Sequence, residues 1–441
     1  MKPKIKVYDA MMGSGKTTKI IENIKNSPMT QKYMFITPLL SECHRIAGTV
    51  TDPEDIYQRP IIVESDDSSI LYQYNETVDT PLKDRVFKHP YFSKAGGKAE
   101  SLPVLLNNND NIVSTHQLFV NLTPTILQQA KDYILVIDEM LSVYEIYDVY
   151  SEKEIKAMFD NGWISLDPKD NITLIFHREN YGDNTNGRDT TKDTYYETFA
   201  TLCDLGQLML IDGKVVIWEL AVNALKAFKE VWIATYMFED NIMATYLKAH
   251  GLNYELIRFG SKPSDIKHLI NIYEDSSKSK LNLIGNKDSA LSATNCKQTI
   301  VKDTLSANLD NYFRNKVKSK KSEILWTCYK ESKSRVQKNG AYNYSAEWLP
   351  MNTKATNDYG DKHTVAYLIN LYPNPELVKA SSARGFSVKE DVYAIAEMVQ
   401  FIWRSAIRNN EPINLYIPSK RMRTFLNNWL DDKYEIKPET V

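Results

Sequence analysis

Cysteine and histidine are scarce in this sequence, with four Cys and seven His among 441 residues. Cys43, Cys203, Cys296 and Cys328 share no metal-ligand spacing, so the expectation is a reduced, cytoplasmic setting. The histidines are equally dispersed and read as ordinary surface or core residues. No window holds the roughly 18 consecutive apolar residues that a membrane span needs, so no membrane partner is expected. No secretion signal is expected either, because an apolar-alternating strand begins at Lys4. Net charge is nearly absent, at −2. With 43% hydrophobic and 25% charged residues, the composition is that of a folded globular protein, and the length calls for two or three domains.

The small net charge hides an uneven distribution. Residues 261–441 carry 28 Lys and Arg against 20 Asp and Glu, which leaves 26 against 36 for the first 260 residues. A basic second half beside an acidic first half points to a polyanion lying on the second half, or to uneven solvated surface.

What is present begins with Ala10-Met11-Met12-Gly13-Ser14-Gly15-Lys16-Thr17, directly after the strand Lys4–Asp9. This is the pattern of a phosphate-binding loop, with Ala10 where the strict pattern has Gly. Gly13 and Gly15 let backbone amides turn inward toward a phosphate chain. Lys16 would reach the β- and γ-phosphates, and the Thr17 hydroxyl would ligate Mg²⁺. A helix expected from about Thr18 to Asn26 would aim its positive end at the same anion. The cofactors implied are therefore ATP and Mg²⁺, with Gly13, Ser14, Gly15, Lys16, Thr17 and Thr18 around the phosphates.

Short apolar strands alternate with helices along the first stretch, the pattern of a parallel sheet covered on both faces. Strands are expected at Lys4–Asp9, Tyr33–Thr37, Pro60–Glu64, Asn111–Ser114, Tyr133–Ile137 and Val231–Ala234. Helices are expected at Leu40–Ala47, Gln117–Leu122 and Leu127–Lys131. The pattern breaks over about 151–221, read as an insertion with hairpins at Ile172–Phe176 and Lys214–Trp218 and a polar, turn-rich run over Arg178–Asp189. A second alternating region begins near Tyr254. Its expected elements are strands at Leu269–Tyr273, Glu323–Cys328 and Asn414–Ile417, and helices at Val301–Lys318, Thr364–Leu371, Glu390–Arg408 and Arg421–Trp429. The fold class expected is α/β, with a first domain over residues 1–255 and a second over 256–441.

Tyr133-Ile134-Leu135-Val136-Ile137-Asp138-Glu139 is the second strong signal. Five apolar residues make a buried central strand, and two carboxylates appear at its C-terminal end, where ligands of α/β folds bind. Asp138 is placed to hold Mg²⁺, and Glu139 to orient and deprotonate an attacking water. The third signal is Gln400-Phe401-Ile402-Trp403-Arg404-Ser405-Ala406-Ile407-Arg408. On one continuous helix Gln400, Arg404 and Arg408 would share a face, where two guanidinium groups could stabilise charge growing on a γ-phosphate.

With these motifs in place, the chain resembles the superfamily 2 nucleic-acid helicases, and among them the DEAD-like helicases encoded by tailed bacteriophages. In that family the phosphate loop often begins with Ala. Asp138-Glu139 matches the Mg²⁺/water motif, with Met140-Leu141 following where Ala-Asp or Ala-His is familiar. Thr37-Pro38-Leu39, Ser114-Thr115-His116-Gln117, Ile324–Cys328 and Lys354-Ala355-Thr356-Asn357-Asp358 look like nucleic-acid contact motifs. These put Thr37, Pro38, Thr115, His116, Thr327, Thr356 and Asn357 on that surface. Ala234-Thr235-Tyr236 looks like the element coupling hydrolysis to movement. Gln400, Arg404 and Arg408 match the arginine-finger motif, with Trp403 in place of the usual Gly and the last arginine one residue late.

The resemblance implies two RecA-like domains in tandem, ATP hydrolysis, and movement on single-stranded or branched nucleic acid, DNA in preference to RNA. It also implies a monomer working beside replication or recombination proteins in a bacterial host's cytoplasm. A basic segment (Arg314, Lys316, Lys318, Lys320, Lys321, Lys330, Lys333, Arg335, Lys338) with Tyr312, Trp326 and Tyr329 could follow a phosphate backbone and stack on bases, or be a solvated helix and loop. Ser419-Lys420-Arg421-Met422-Arg423 is a second such candidate. Trp218 and Trp232 read as core. Two rival readings stay open: a nucleoside or nucleotide kinase using the same loop, and a non-enzymatic nucleic-acid remodelling or annealing scaffold.

Overall fold

The computed structural model describes residues 2–47, 61–64, 70–73, 82, 85–90, 98–182, 195–337, 346–351, 353 and 358–434. Two parallel α/β sheets organise the chain, as expected of two tandem RecA-like domains with an insertion in the first. The first sheet has seven strands in the order Tyr254–Arg258, Lys4–Asp9, Glu230–Thr235, Tyr133–Asp138, Lys32–Thr37, Asn111–Thr115, Phe87–Lys88. From Glu230–Thr235 to Phe87–Lys88 every neighbouring pair runs parallel. The five apolar residues Tyr133–Ile137 are all buried, because a central parallel strand has both faces covered. The second sheet has five parallel strands in the order Ile270–Ile272, Ile413–Tyr416, Thr364–Tyr367, Ile324–Thr327, Glu347–Trp348.

From Tyr150 to Leu220 the chain builds a separate core that includes Tyr150, Phe176 and Phe199, with Trp163 packed against it. Ser151 and Glu154 form a capping box on the helix Glu152–Asp160. Both expected hairpins are present: Leu174–Phe176 pairs antiparallel with Ile164–Leu166, and Val215–Glu219 with Leu208–Ile211. Of the polar run at 178–189, Arg178–Gly182 is a short helix and residues 183–189 lie outside the described ones.

Five expectations need correction. Thr364–Leu371 is not a helix; Thr364–Tyr367 is a strand. Val365, Ala366, Tyr367, Leu368 and Ile369 are all fully buried, and a continuous apolar run has no periodicity to separate a buried strand from a buried helix. The expected helix over Leu127–Lys131 lies earlier, at Pro124–Gln128, because Thr123 caps it and Pro124 occupies its first turn. Ile61–Glu64 pairs antiparallel with Ile70–Gln73 in its own two-stranded sheet, so it is no part of the parallel sheet. Tyr254–Arg258 is an edge strand of the first sheet and does not open the second region. The helix from Glu390 stops at Ile402. There the hydrogen bonds tighten to Arg404 N–Phe401 O and Ser405 N–Ile402 O, the Ser405 hydroxyl donates to Ile402 O at 2.6 Å, and the Ala406 amide leaves the helix to bond Lys362 O.

By internal contacts the chain divides into two compact units. One comprises Met1–Tyr8, Thr17–Ile257 and Asn374–Val388; the other comprises Asp9–Lys16, Arg258–Pro373 and Lys389–Val441. Within the first, the helix Pro375–Ala383 starts from an Asn374 cap with Pro at its first position, a readable start signal. It delivers Arg384 to an ion cluster built around the buried Glu219. Arg384 donates to Glu219 at 2.5 Å and to Asp170 at 2.8 Å, while His250 Nε2 lies 3.0 Å from Glu219. Burial pushes the Glu219 carboxyl up, but hydrogen bonds from His250 and Arg384 outweigh it and hold the group below its ordinary value. Burial likewise raises Asp170, and hydrogen bonds from Thr173, Ile172 and Arg384 bring it down to about 2.

Arg384→Ala leaves the Glu219 carboxylate, 4% exposed, without its guanidinium, and should lower unfolding free energy in urea by about 3–5 kcal/mol. Both carboxylates sit below their unfolded values, so their stabilisation is present above the ordinary range and lost as pH falls. The difference between wild type and variant should be full at neutral pH and close as pH falls from 3.8 toward about 2, the interval over which Asp170 titrates. An equal difference at pH 7 and pH 2 would remove the ion cluster as its cause.

Candidate functional site

The strand Lys4–Asp9 ends in a loop whose two glycines, Gly13 at φ 77° and Gly15 at φ 75°, both take the left-handed conformation. A side chain is strained there, so the turn that points consecutive amides inward depends on glycine. The helix Lys16–Lys25 begins at once, and its first-turn amides have no intrahelical acceptor. Lys16 Nζ donates to the carbonyls of Ala10 at 2.6 Å and Met11 at 3.2 Å, closing the loop around its own ammonium. Ser14 N bonds Met11 O at 3.2 Å. Thr18 is exposed on the helix's first turn.

Thr17 Oγ1 donates to Asp138 Oδ1 at 3.1 Å, joining the loop to the end of the central strand. Next to it, Glu139 takes φ 63°, a left-handed backbone that a non-glycine residue adopts only when its surroundings impose it. The imposing contact is the Glu139 amide's bond to Ala234 O at 2.9 Å. Asn241 supports the following residue, with its side-chain amide 2.7 Å from Met140 Sδ. Thr17 and Asp138 offer hard oxygen donors that fit Mg²⁺. Among the described residues no cluster of three or more His, Cys, Asp or Glu could hold a metal.

Parallel register brings several of the other candidates to the same sheet edge. Thr37 pairs with Thr115, and Ala234 with Asp138. Thr37 is fully buried, while Pro38 and Thr115 are half-buried. The Thr115 hydroxyl caps the helix His116–Val120. His116 Nε2 lies 2.9 Å from the Asp138 carbonyl, so the ring braces the carboxylate-bearing strand. Thr327 is fully buried at the end of its strand in the second sheet. Thr356 and Asn357 lie outside the described residues.

Gln400, Arg404 and Arg408 do not share one helix face. Gln400 is on the helix, Arg404 is in the turn that ends it, and Arg408 is in the 3₁₀ helix Ala406–Asn409. Arg404 is 8% exposed. Burial first, then Glu347 and Asp358, push the Tyr359 phenol above its ordinary value, and the Arg404 guanidinium pulls the other way.

The basic segment is less available than its composition implies. Tyr312 and Trp326 are buried core residues and cannot stack on bases. Arg314 pairs with Asp310, Arg335 with Asp303, and Lys333 lies over the Trp348 ring. Arg421 bonds Leu371 O and packs on Tyr372 and Phe425, and Arg423 bonds the Ile417 and Pro418 carbonyls. Trp232 is core, and Trp218 packs against the insertion's core.

Two residues around the site, Asn241 and Gly260, escaped the sequence reading, and Trp403 was noted there without a role. Trp403 lies against Gly13, Asn241 holds Met140, and Gly260 lies against Ser14. Gly260 takes φ 93°, and a Cβ there would come 2.5 Å from Ser14 Oγ. A lone glycine between Phe259 and Ser261 gave no signal of that approach, but a Trp in place of the motif's Gly did. Gly260→Ala should lower stability by about 2 kcal/mol, from backbone strain plus overlap. Adding Ser14→Gly should recover only part of it. Full recovery in thermal melts would show that backbone conformation at Gly260 carries no cost.

Comparison with known proteins gives one full-length relative. The SPbeta prophage-derived protein YonV of Bacillus subtilis (strain 168) is 33% identical over 453 residues, covering 98% of this chain and 99% of that protein. Residues 264–430 match a family model described as the YonV C-terminal Rossmann-like domain. Among solved structures, the DUF1998 helicase MrfA bound to DNA and AMPPNP aligns at TM-score 0.33 and 8% identity over 98% of this chain and 48% of its own. The chain thus spans about half of that helicase's length. Dbp5 of S. cerevisiae aligns at TM-score 0.32 and 11% identity, over 99% of this chain and 85% of its own.

Proposed function

The chain belongs to the YonV family, and we propose that it is an ATP hydrolase that couples turnover to movement on, or unwinding of, nucleic acid. One observation carries the reading: the loop's Thr17 is hydrogen-bonded to Asp138, with Glu139 next in the chain and held by the neighbouring strand. A glycine turn without a nucleotide has no need of an acidic pair at that place. The relative matched over its full length is prophage-derived, which fits a phage-encoded enzyme acting in a bacterial cytoplasm.

The roles follow from geometry. Amides of Gly13 to Thr18 would cradle the phosphates, and Lys16 would exchange its two loop carbonyls for phosphate oxygens. Thr17 and Asp138 would hold Mg²⁺, which supplies charge neutralisation on the β- and γ-phosphates. Glu139 would orient the attacking water and take its proton. Gln400, Arg404 and Arg408 would meet the γ-phosphate charge; the segment Lys389–Val441 falls in the same compact unit as the loop Asp9–Lys16. We assign the first sheet, through its edge strand Tyr254–Arg258, to a nucleotide-binding RecA-like domain and the second sheet to another. Pro38, Thr115 and His116, half-buried at the end of the first sheet, would contact single-stranded or branched DNA, whereas Thr37 and Thr327 are fully buried and would not touch it.

ATPase rates measured with single-stranded DNA, duplex DNA, branched DNA and RNA test this directly. DNA should raise the wild-type rate, and stimulation should fall with added salt as phosphate contacts are screened. Lys16→Ala and Glu139→Gln should each lower turnover by about 10²–10³-fold. Unchanged turnover in either variant would remove the assigned site. No stimulation by any nucleic acid, with phosphate passing instead to a nucleoside, would make the chain a kinase.

A further inference from the structure

Trp403 stands where the helicase motif has Gly, and its position gives it a use. It follows the last residue of the helix Glu390–Ile402 and is held by the bond from its amide to Val399 O at 2.9 Å. The side chain is 9% exposed. Its indole nitrogen is buried and has no hydrogen-bond partner among the described residues. An unpartnered buried N–H is costly and calls for a reason. The indole edge lies on the phosphate loop: a Cβ built on Gly13 would sit 3.0 Å from Trp403 Nε1 and 3.5 Å from Cε2 and Cζ2. Gly13 and Trp403 belong to the same compact unit. The donor with no acceptor is therefore at the loop whose amides would wrap a phosphate chain, one residue before Arg404.

We propose that the indole N–H of Trp403 is a hydrogen-bond donor to the phosphate chain of the bound nucleoside triphosphate, delivered across Gly13. This rests on the triphosphate reading of the loop and adds a binding residue to it. An indole is a donor only, so it suits an anionic oxygen and offers nothing to a cation. Gly at position 13 serves two ends: it takes φ 77°, and it leaves the space that lets the ring edge come close. The neutral donor complements Lys16 and the arginines by adding direction without further charge.

Dissociation constants for a non-hydrolysable ATP analogue with Mg²⁺, and melting temperatures without nucleotide, test the inference in wild type, Trp403→Phe and Trp403→His. Phe keeps a ring and removes the donor; His is smaller and keeps an N–H, and is the second variant should Phe not fold. Trp403→Phe should melt within a degree or two of wild type without nucleotide, since the donor it loses had no partner. It should bind the analogue about tenfold more weakly, the effect of one hydrogen bond to a charged group. Trp403→His should recover part of that loss. Binding by Trp403→Phe within twofold of wild type would overturn the inference and leave the triphosphate site standing. So would parallel losses of melting temperature and binding in both variants, which mark packing alone. A wild type that binds no analogue, and is matched by Lys16→Ala, would overturn the triphosphate reading and this inference with it.

Discussion

The hydrogen bond from Thr17 Oγ1 to Asp138 Oδ1, 3.1 Å long between residues 121 apart in sequence, is the contact on which the site's geometry depends. The two residues do not come from neighbouring strands. Glu230–Thr235 lies between the strand that leads into the loop and the strand that ends in Asp138. At about 4.8 Å per strand, the chain must travel nearly 10 Å sideways to make this bond. The glycine loop and the first turn of the helix Lys16–Lys25 cover that distance over the end of the intervening strand. Its residue Ala234 pairs with Asp138 and accepts the Glu139 amide. One register therefore fixes the Thr17 partner and the strained Glu139 backbone together. A slip of one residue would turn the five buried residues Tyr133–Ile137 to opposite faces and move both carboxylates.

Most of the sheet architecture was legible because parallel strands buried on both faces are nearly uninterrupted apolar runs. Tyr133–Ile137 and Val231–Ala234 stand out on that ground and Lys4–Asp9 by its alternation, and their C-terminal ends carry the polar residues of the site. The same property hid Thr364–Tyr367, since a run buried on all sides has no polar face from which to read a period. The Asn374-Pro375 helix start was readable but was not read. Its attachment to the first unit was not readable at all, because Arg384, Glu219 and Asp170 meet only in three dimensions. Basic composition misled for a related reason. Charge counts do not reveal that Arg335 is committed to Asp303 or that Arg421 is spread over Tyr372 and Phe425.

Left-handed backbone and unmet hydrogen bonding occur at several places among the described residues, and the site is one of them. There, Glu139 at φ 63° carries a cost that its amide's bond to Ala234 O offsets in part, and the Trp403 nitrogen has no partner among the described residues. Neither is needed to complete a sheet or cap a helix. Costs of this kind persist in a fold when a ligand offsets them or when they set reacting groups in place.

The break in the helix after Ile402 decides how the two arginines differ. On an unbroken helix Arg404 and Arg408 would lie one above the other and be near equivalents. The turn at Ser405, fixed by the Ala406 amide's bond to Lys362 O, separates them. Arg404 becomes a buried guanidinium, while Arg408 keeps a share of solvent in the 3₁₀ turn beyond. A charge that is nine-tenths buried is tolerable only where compensating groups surround it, and those groups also fix its direction. Arg404 is therefore the pre-set member of the pair. It follows in the chain the indole that lies against Gly13, so one tight turn carries a neutral donor and a fixed charge side by side.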